Sequence, residues 1–218
     1  MKILVYNNDT GRMETYNREL NDSMPYSTGT NLSVKEFRGS SKSDVLWTDK
    51  RTMEAFNKLR ELYGSPIYVG YAFKRIGEGG HSNMSQHYAG TALDIGQRMS
   101  EASRDRLRNL SINNKIFTYV EPKYLTPTWV HVDKRNPNPA CSTGGYPVIK
   151  QGSKGVYVAV LQDALNTLGY NAGAIDGIFG NNTKNAVIRY QRARGLAQDG
   201  IVGCNTWRTL TTQVANSR

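Results

Sequence analysis

Ser85-Gln86-His87-Tyr88-Ala89-Gly90-Thr91-Ala92-Leu93-Asp94 is the stretch on which the reading of this chain turns. It carries one of three histidines among 218 residues and ends on a carboxylate set inside the apolar run Ala92–Ile95. A buried carboxylate needs a partner or a cation to offset its desolvation, and no basic residue lies closer in sequence than Arg98. His87 and Asp94 cannot be neighbours on one strand. Gly90, between the small residues Ala89 and Ala92, lets the chain turn back and bring both side chains to one point. A second apolar run, Trp129-Val130-His131-Val132-Asp133, supplies another imidazole. His87, Asp94 and His131 together make a donor set suited to tetrahedral zinc, one ion per chain, with the fourth position open to water.

Outward from these runs, the N-terminal part reads as a mixture of short strands and a helix. Lys2–Asn7 and Met13–Asn17 predict two strands around the turn-rich Asn8-Asp9-Thr10-Gly11. Residues 52–63 place Met53, Phe56, Leu59 and Tyr63 on one helical face, with Thr52 as N-cap and Gly64 as stop. Pro66–Tyr71 reads as a further short strand before the Gly-rich Gly77–Gly80. The class this predicts is α+β, a small antiparallel sheet with helices.

Asn-Pro pairs at 136–137 and 138–139, followed by Gly144-Gly145, break regular structure between Lys134 and Pro147. The expected division is a first domain over 1–135, a linker over 136–146 and a second domain over 147–213. Val158, Leu161, Leu165 and Leu168 make a helical stripe closed by Gly169. Asp176-Gly-Ile-Phe-Gly-Asn-Asn-Thr183 recurs as Asp199-Gly-Ile-Val-Gly-Cys-Asn-Thr206. Each copy is a turn whose Asn-Thr is placed to cap a following helix, at Lys184–Arg194 and Trp207–Gln213. The second domain is therefore expected to be a three-helix, all-α module, with 214–218 frayed.

The formal net charge is +10, and it divides evenly: residues 141–218 carry eight basic and three acidic side chains, the remainder twenty and fifteen. Such a surface suits a polyanion, either nucleic acid or a bacterial wall with its teichoic acids and carboxylates. Basic helices, zinc-finger spacing and RNA-binding signatures are missing, which argues against nucleic acid. No apolar run is long enough to span a bilayer, which needs roughly 20 residues. The four apolar residues after Lys2 are too few for a secretory core of about 7–15, so synthesis in the cytoplasm is expected. Cys141 and Cys204 leave two readings open: one bridge from linker to module, or free thiols. Neither sits beside a histidine as a thiol nucleophile requires.

His87-x-x-Gly90-x-Ala92-x-Asp94 after Ser85, with Trp129-x-His131, resembles the M15 family of zinc peptidoglycan peptidases over roughly residues 32–135. Leu32–Phe37 is similar to that family's opening segment, and Val69-Gly70-Tyr71 to the strand before its active-site loop. The resemblance implies that His87, Asp94 and His131 bind zinc. Ser85 and Tyr71 are then expected to contact substrate, and His81 is either a substrate contact on the rim or a solvated loop histidine. Two positions depart from the family: Ala72 stands where an arginine usually follows Gly-Tyr, and Thr128 where some members carry an acidic base. Arg75 is then the expected cationic group, with Lys74 beside it. Asp133, sharing a strand face with His131, is the expected general base or else orients a metal ligand, and Glu121 is the other candidate base.

Residues 147–212 resemble the type 1 peptidoglycan-binding domain in the order and spacing of their glycines, aspartates and leucines, which implies contact with the wall near Asp176, Phe179 and Tyr190 unless the two aromatic residues belong to the core. The whole is expected to be a monomeric wall peptidase with a targeting module. Its architecture is that of a phage endolysin or autolysin, released by holin-type or lytic export if phage-encoded. The alternative is a wall-binding protein whose peptidase domain is degenerate.

Overall fold

The computed structural model describes residues 1–29, 31–141 and 145–218. Two sheets and three helices build the first part. The first sheet holds β1 (Lys2–Asn7), β2 (Arg12–Asn17) and β3 (Val45–Asp49) in the order β2-β1-β3. β1 and β2 form the predicted hairpin, and β3 joins β1 in parallel, opposing Leu4 with Trp47. The second sheet, β4-β5-β7-β6, consists of β4 (Val69–Tyr71), β5 (Ala92–Ile95), β6 (Tyr119–Val120) and β7 (Val130–Asp133), all antiparallel. The helices are α1 (Val34–Arg38), α2 (Lys50–Tyr63) and α3 (Glu101–Asn113). This is the expected α+β layout.

The sheets are locked to each other through Gly90. Its φ is +67°, and a Cβ there would lie 1.9 Å from the Trp47 carbonyl oxygen, so only glycine fits. Around it, the Trp47 indole donates to the Tyr88 carbonyl (2.8 Å) and the Thr48 hydroxyl to the Gly90 carbonyl (2.7 Å). β3 thereby grips the turn that carries His87 towards β5.

α2 begins two residues earlier than the sequence reading placed it. Asp49 is the N-cap, accepting from both the Thr52 amide (2.8 Å) and the Thr52 hydroxyl (2.6 Å). Gly64 closes the helix in the left-handed conformation. α3 was not predicted at all. It buries Leu107 and Ser111 together with Arg108, whose guanidinium donates to the carbonyls of Thr126 and Trp129 (both 2.6 Å). A cation satisfied by main-chain carbonyls replaces the apolar residue that a periodicity search expects.

The second part is three helices: α4 (Val156–Thr167), α5 (Asn181–Ala193) and α6 (Cys204–Ser217). The duplicated segments are repeated in three dimensions. Gln162 on α4 donates to Asp176 Oδ1 (2.7 Å) and the Ile178 carbonyl (3.1 Å), and accepts from the Asp176 and Gly177 amides. Gln191 on α5 does the same with Asp199 Oδ1 (3.0 Å), the Ile201 carbonyl (2.9 Å) and the Gly200 amide. Two buried glutamines thus satisfy the polar atoms of two turns; left unpaired, each such atom would cost about 1–3 kcal/mol.

This corrects several expectations. The Asn-Thr pairs lie inside the first turns of α5 and α6; glycines 180 and 203 occupy the cap positions and supply no side-chain bond. Residues 214–217 are helical, and the Arg218 guanidinium donates to the Ile76 carbonyl (2.7 Å) and to Asp163 (3.0 Å). Phe179 and Tyr190 are 1% and 0% exposed, so neither can touch a wall polymer. Asp176 spends a carboxylate oxygen on its own turn, accepting from the Ile178 amide (2.8 Å).

Among the described residues, no helix or strand intervenes between β7 and α4. Cys141 in this stretch is disulfide-bonded to Cys204, the first residue of α6, which settles the open choice in favour of the bridge. The module packs directly on the first part: Gly155 faces the Tyr6 ring, and Gly177 lies against the Met13 thioether. Among the described residues, no helix is long and apolar enough to cross a membrane.

Candidate metal centre

Sheet register assembles the site. β5 and β7 pair Asp94 with His131, and β4 and β5 pair Tyr71 with Asp94. Directly opposed residues on antiparallel strands share a face, so Tyr71, Asp94 and His131 form a row across the sheet. Glu121, just past β6, extends that row, its amide donating to the His131 carbonyl (2.9 Å). His87 comes down on this row from the turn that Gly90 allows. The three donor atoms of His87, Asp94 and His131 lie within 4.8 Å of one another.

The orientation of each imidazole follows from its other nitrogen. His87 Nδ1 bonds the Ala72 carbonyl (2.9 Å), so its proton sits there and Nε2 presents a lone pair. That Nε2 is buried without a hydrogen bond, 3.2 Å from Asp94 Oδ1. An orphaned acceptor beside a carboxylate is what a cation-binding site looks like, and the donor set fits zinc. His131 contacts Asp94 Oδ1 through Nδ1 (2.7 Å) and Asp133 Oδ2 through Nε2 (3.2 Å). Burial disfavours charge on His131, yet the carboxylates of Asp133 and Asp94 outweigh it and push its pKa up to about 9. Asp94 shows the reverse balance: burial would raise its pKa, and the two imidazoles hold it well below the usual carboxylate range.

The centre lies in a cleft of about 650 Å³ whose lining includes Tyr71, His81, Ser85, Glu121 and Trp129. His81 stacks against His87 with ring centroids 4.6 Å apart. Burial, then the neighbouring His87, pushes the His81 pKa down to about 4, which keeps its ring neutral. The Ser85 hydroxyl accepts from the His87 amide (3.3 Å) and so braces the turn.

The two acidic candidates differ in their access to the cleft. Asp133 does share a face with His131, but its side chain is 0% exposed and is clasped by Arg135 through Nε (2.9 and 3.1 Å) and Nη2 (2.5 Å). A carboxylate so enclosed fixes the His131 ring and has no route to a water in the cleft. Glu121 lines the cleft, and among the described residues its carboxylate has no hydrogen-bonded partner; Arg135 feels it only through space.

The cations are reassigned as well. Arg75 points away, its guanidinium paired with Asp163 of the module (3.0 Å through Nε), because a neighbour along extended chain faces the opposite side. Lys74 takes the cleft side instead: it is 3% exposed, bonds the Ser40 hydroxyl and lies 5.1 Å from the Tyr71 ring centroid. Burial lowers its pKa. Arg135, which no sequence argument singled out, also lines the cleft, 3.7 Å from the Tyr119 ring centroid. Its place two residues beyond Asp133 was the signal available for it.

With this geometry in view, relatedness can be stated. Residues 28–133 match the profile of the Peptidase M15 family, and residues 154–210 that of the putative peptidoglycan binding domain. The first part of the chain thus matches the M15 peptidases, and a peptidoglycan-binding domain lies C-terminal to it. An uncharacterised protein of Kitasatospora aureofaciens is 41% identical over 81 residues, covering 35% of this chain and 69% of that protein. N-acetylmuramoyl-L-alanine amidase CwlM of Mycobacterium tuberculosis is 53% identical over 53 residues, 24% of this chain and 13% of the amidase. The spore cortex-lytic enzyme of Bacillus subtilis is 44% identical over 64 residues, 29% of this chain and 21% of the enzyme. The chain thus spans well under two thirds of these last two proteins. A solved peptidoglycan-binding protein from Clostridioides difficile aligns at 43% identity and TM-score 0.30, covering 31% of this chain and 42% of its own.

Proposed function

We propose that this protein is a zinc peptidase that hydrolyses an amide bond in the peptide stems or cross-links of bacterial peptidoglycan, and that it acts at the wall as a monomer. The observation that carries the reading is the row Tyr71, Asp94, His131 and Glu121 with the lone pair of His87 Nε2 aimed at it. His87, Asp94 and His131 would hold the ion. The chemistry zinc supplies when bound there is Lewis acidity, a polarised carbonyl and a more acidic water.

The side chains supply the rest. Glu121 accepts the proton of the attacking water and returns it to the departing amine. Asp133, fixed by Arg135, holds the His131 ring in place. Lys74 and Arg135 line the cleft as cations able to face the developing oxyanion, which supports activity despite Ala72 and Thr128. Neutral His81 and Tyr71 form the wall against which a stem peptide lies. The basic module, which resembles domains that bind peptidoglycan, holds the enzyme on its polymer.

Two measurements test this together. Purified protein should contain one zinc atom per chain, lost on His87→Ala, and mass spectrometry of digested wall should show new peptide termini that identify the bond. A chain that binds no zinc and only adheres to wall material would instead be a wall-binding protein with a spent peptidase domain.

A further inference from the structure

We infer that the C-terminal module is part of the catalytic apparatus, positioning the loop that leads into His87, in addition to any anchoring it does. This rests on reading the cleft as the catalytic site. The segment Arg75–Gln86 lies between Lys74 and His87 and contributes His81 and Ser85 to the cleft. A segment so rich in glycine and serine has little of its own to hold it: Gly77 to Gly80 and Ser82 to Ser85 contain neither helix nor strand. Such a loop keeps a single conformation only where surrounding structure imposes it.

Part of that imposition comes from the peptidase part, where Glu78 accepts from the Ser41 hydroxyl (2.6 Å) and the Lys42 amide (3.0 Å), and the rest from the module and the chain leading to it. At the start of the loop, Arg75 is clamped by Asp163 of α4, and the Ile76 carbonyl accepts from Arg218. In the middle, the Asn83 amide donates to the Thr212 hydroxyl of α6 (2.8 Å). At its end, the Ser85 carbonyl accepts from the Tyr146 hydroxyl (2.9 Å), and Gln86 Oε1 from the Tyr157 hydroxyl (2.9 Å). Gln86 Oε1 also accepts from Thr91 (3.0 Å), so one amide oxygen ties α4 to both flanks of the Gly90 turn. Gly145 closes the cleft over Gln86, where a Cβ would stand 2.1 Å from Nε2.

Asp163 is the keystone. It is 2% exposed and is the shared partner of Arg75, at the start of the loop, and Arg218, just beyond α6. A carboxylate buried between two guanidiniums contributes to one arrangement of the three and to few others. Nothing in wall adhesion requires it, since it faces inward. Asp163, Tyr157 and Arg218 are therefore positioning residues, acting on the reaction through His87 and the loop before it.

The test separates positioning from anchoring. Full-length Asp163→Ala, Asp163→Glu and Tyr157→Phe, with Arg192→Ala on the exposed side of α5 as control, are assayed on soluble muropeptides and, separately, for pelleting with insoluble wall. Misplacement of a reacting group by about 1 Å costs on the order of 100-fold in rate. Asp163→Ala should lower kcat on the soluble substrate about 10- to 100-fold with wall pelleting unchanged. Tyr157→Phe, which removes one hydroxyl, should fall several-fold, Asp163→Glu should recover part of the loss, and Arg192→Ala should match wild type. Amide hydrogen exchange over residues 76–86 should quicken in Asp163→Ala and Tyr157→Phe, a readout independent of turnover. Unchanged exchange and unchanged kcat in both variants would overturn the inference. Quickened exchange in a protein whose wild type cuts no muropeptide would instead retain the mechanical coupling and remove the proposed peptidase activity.

Discussion

Raising the pH on the zinc-stripped protein should unfasten the site through a single side chain. His131 lies between Asp94 and Asp133, and its pKa stands at about 9 against an ordinary 6.5. A group whose pKa is raised by folding stabilises the native state fully below its unfolded value, and that contribution disappears as pH climbs through the folded value. The window therefore runs from about pH 6.5 to about pH 9, and the 2.5-unit difference corresponds to about 3 kcal/mol. Urea unfolding of chelator-treated protein at pH 6, 7.5 and 9.5 should show this loss, and His131→Gln should show far less of it, cancelling every other titrating group. Zinc must displace the same proton, so its affinity should strengthen with pH up to about 9. An identical pH slope in wild type and His131→Gln would refute the reasoning.

Further outcomes follow from other contacts. Glu121→Gln should keep zinc yet lower kcat by about 10²–10⁴-fold, while Asp133→Asn should weaken zinc binding; chelator competition and steady-state kinetics separate the two. Reducing the Cys141–Cys204 bridge, which closes a 63-residue separation, should cost about 4 kcal/mol by chain entropy, read from urea midpoints with and without reductant. Gly90→Ala should destabilise by more than about 3 kcal/mol, because strain at positive φ adds to overlap with the Trp47 carbonyl; thermal melts measure it. Tyr190→Ala should lower the stability of the module by about 3–5 kcal/mol, which distinguishes a core residue from a surface contact.

The convergence of His87, Asp94 and His131 was legible because histidine is scarce in this chain and Asp94 sits in an apolar run without a local partner. The duplicated turns were legible because glycine and aspartate recur at fixed offsets. Strand parity put Asp133 on the face of His131, yet parity carries no information about solvent, so neither the enclosure of Asp133 nor the openness of Glu121 was legible. Lys74 and Arg75 illustrate the same limit: adjacent residues face opposite ways, and only packing decides which one meets the cleft. α3 escaped notice because its buried stripe includes Arg108, whose satisfaction by carbonyls from 18 and 21 residues away leaves no local trace. Gln162 and Gln191 were passed over for a related reason, since a buried glutamine reads as surface until its turn is in place.

The bond from His87 to position 72 is made by the main chain, and every amino acid offers the same carbonyl. Tautomer control at His87 is thus indifferent to the identity of residue 72. An arginine can disappear from that position without loosening the ligand beside it. Positive charge is thereby free to stand elsewhere, and in this chain a buried lysine two residues along faces the same cleft.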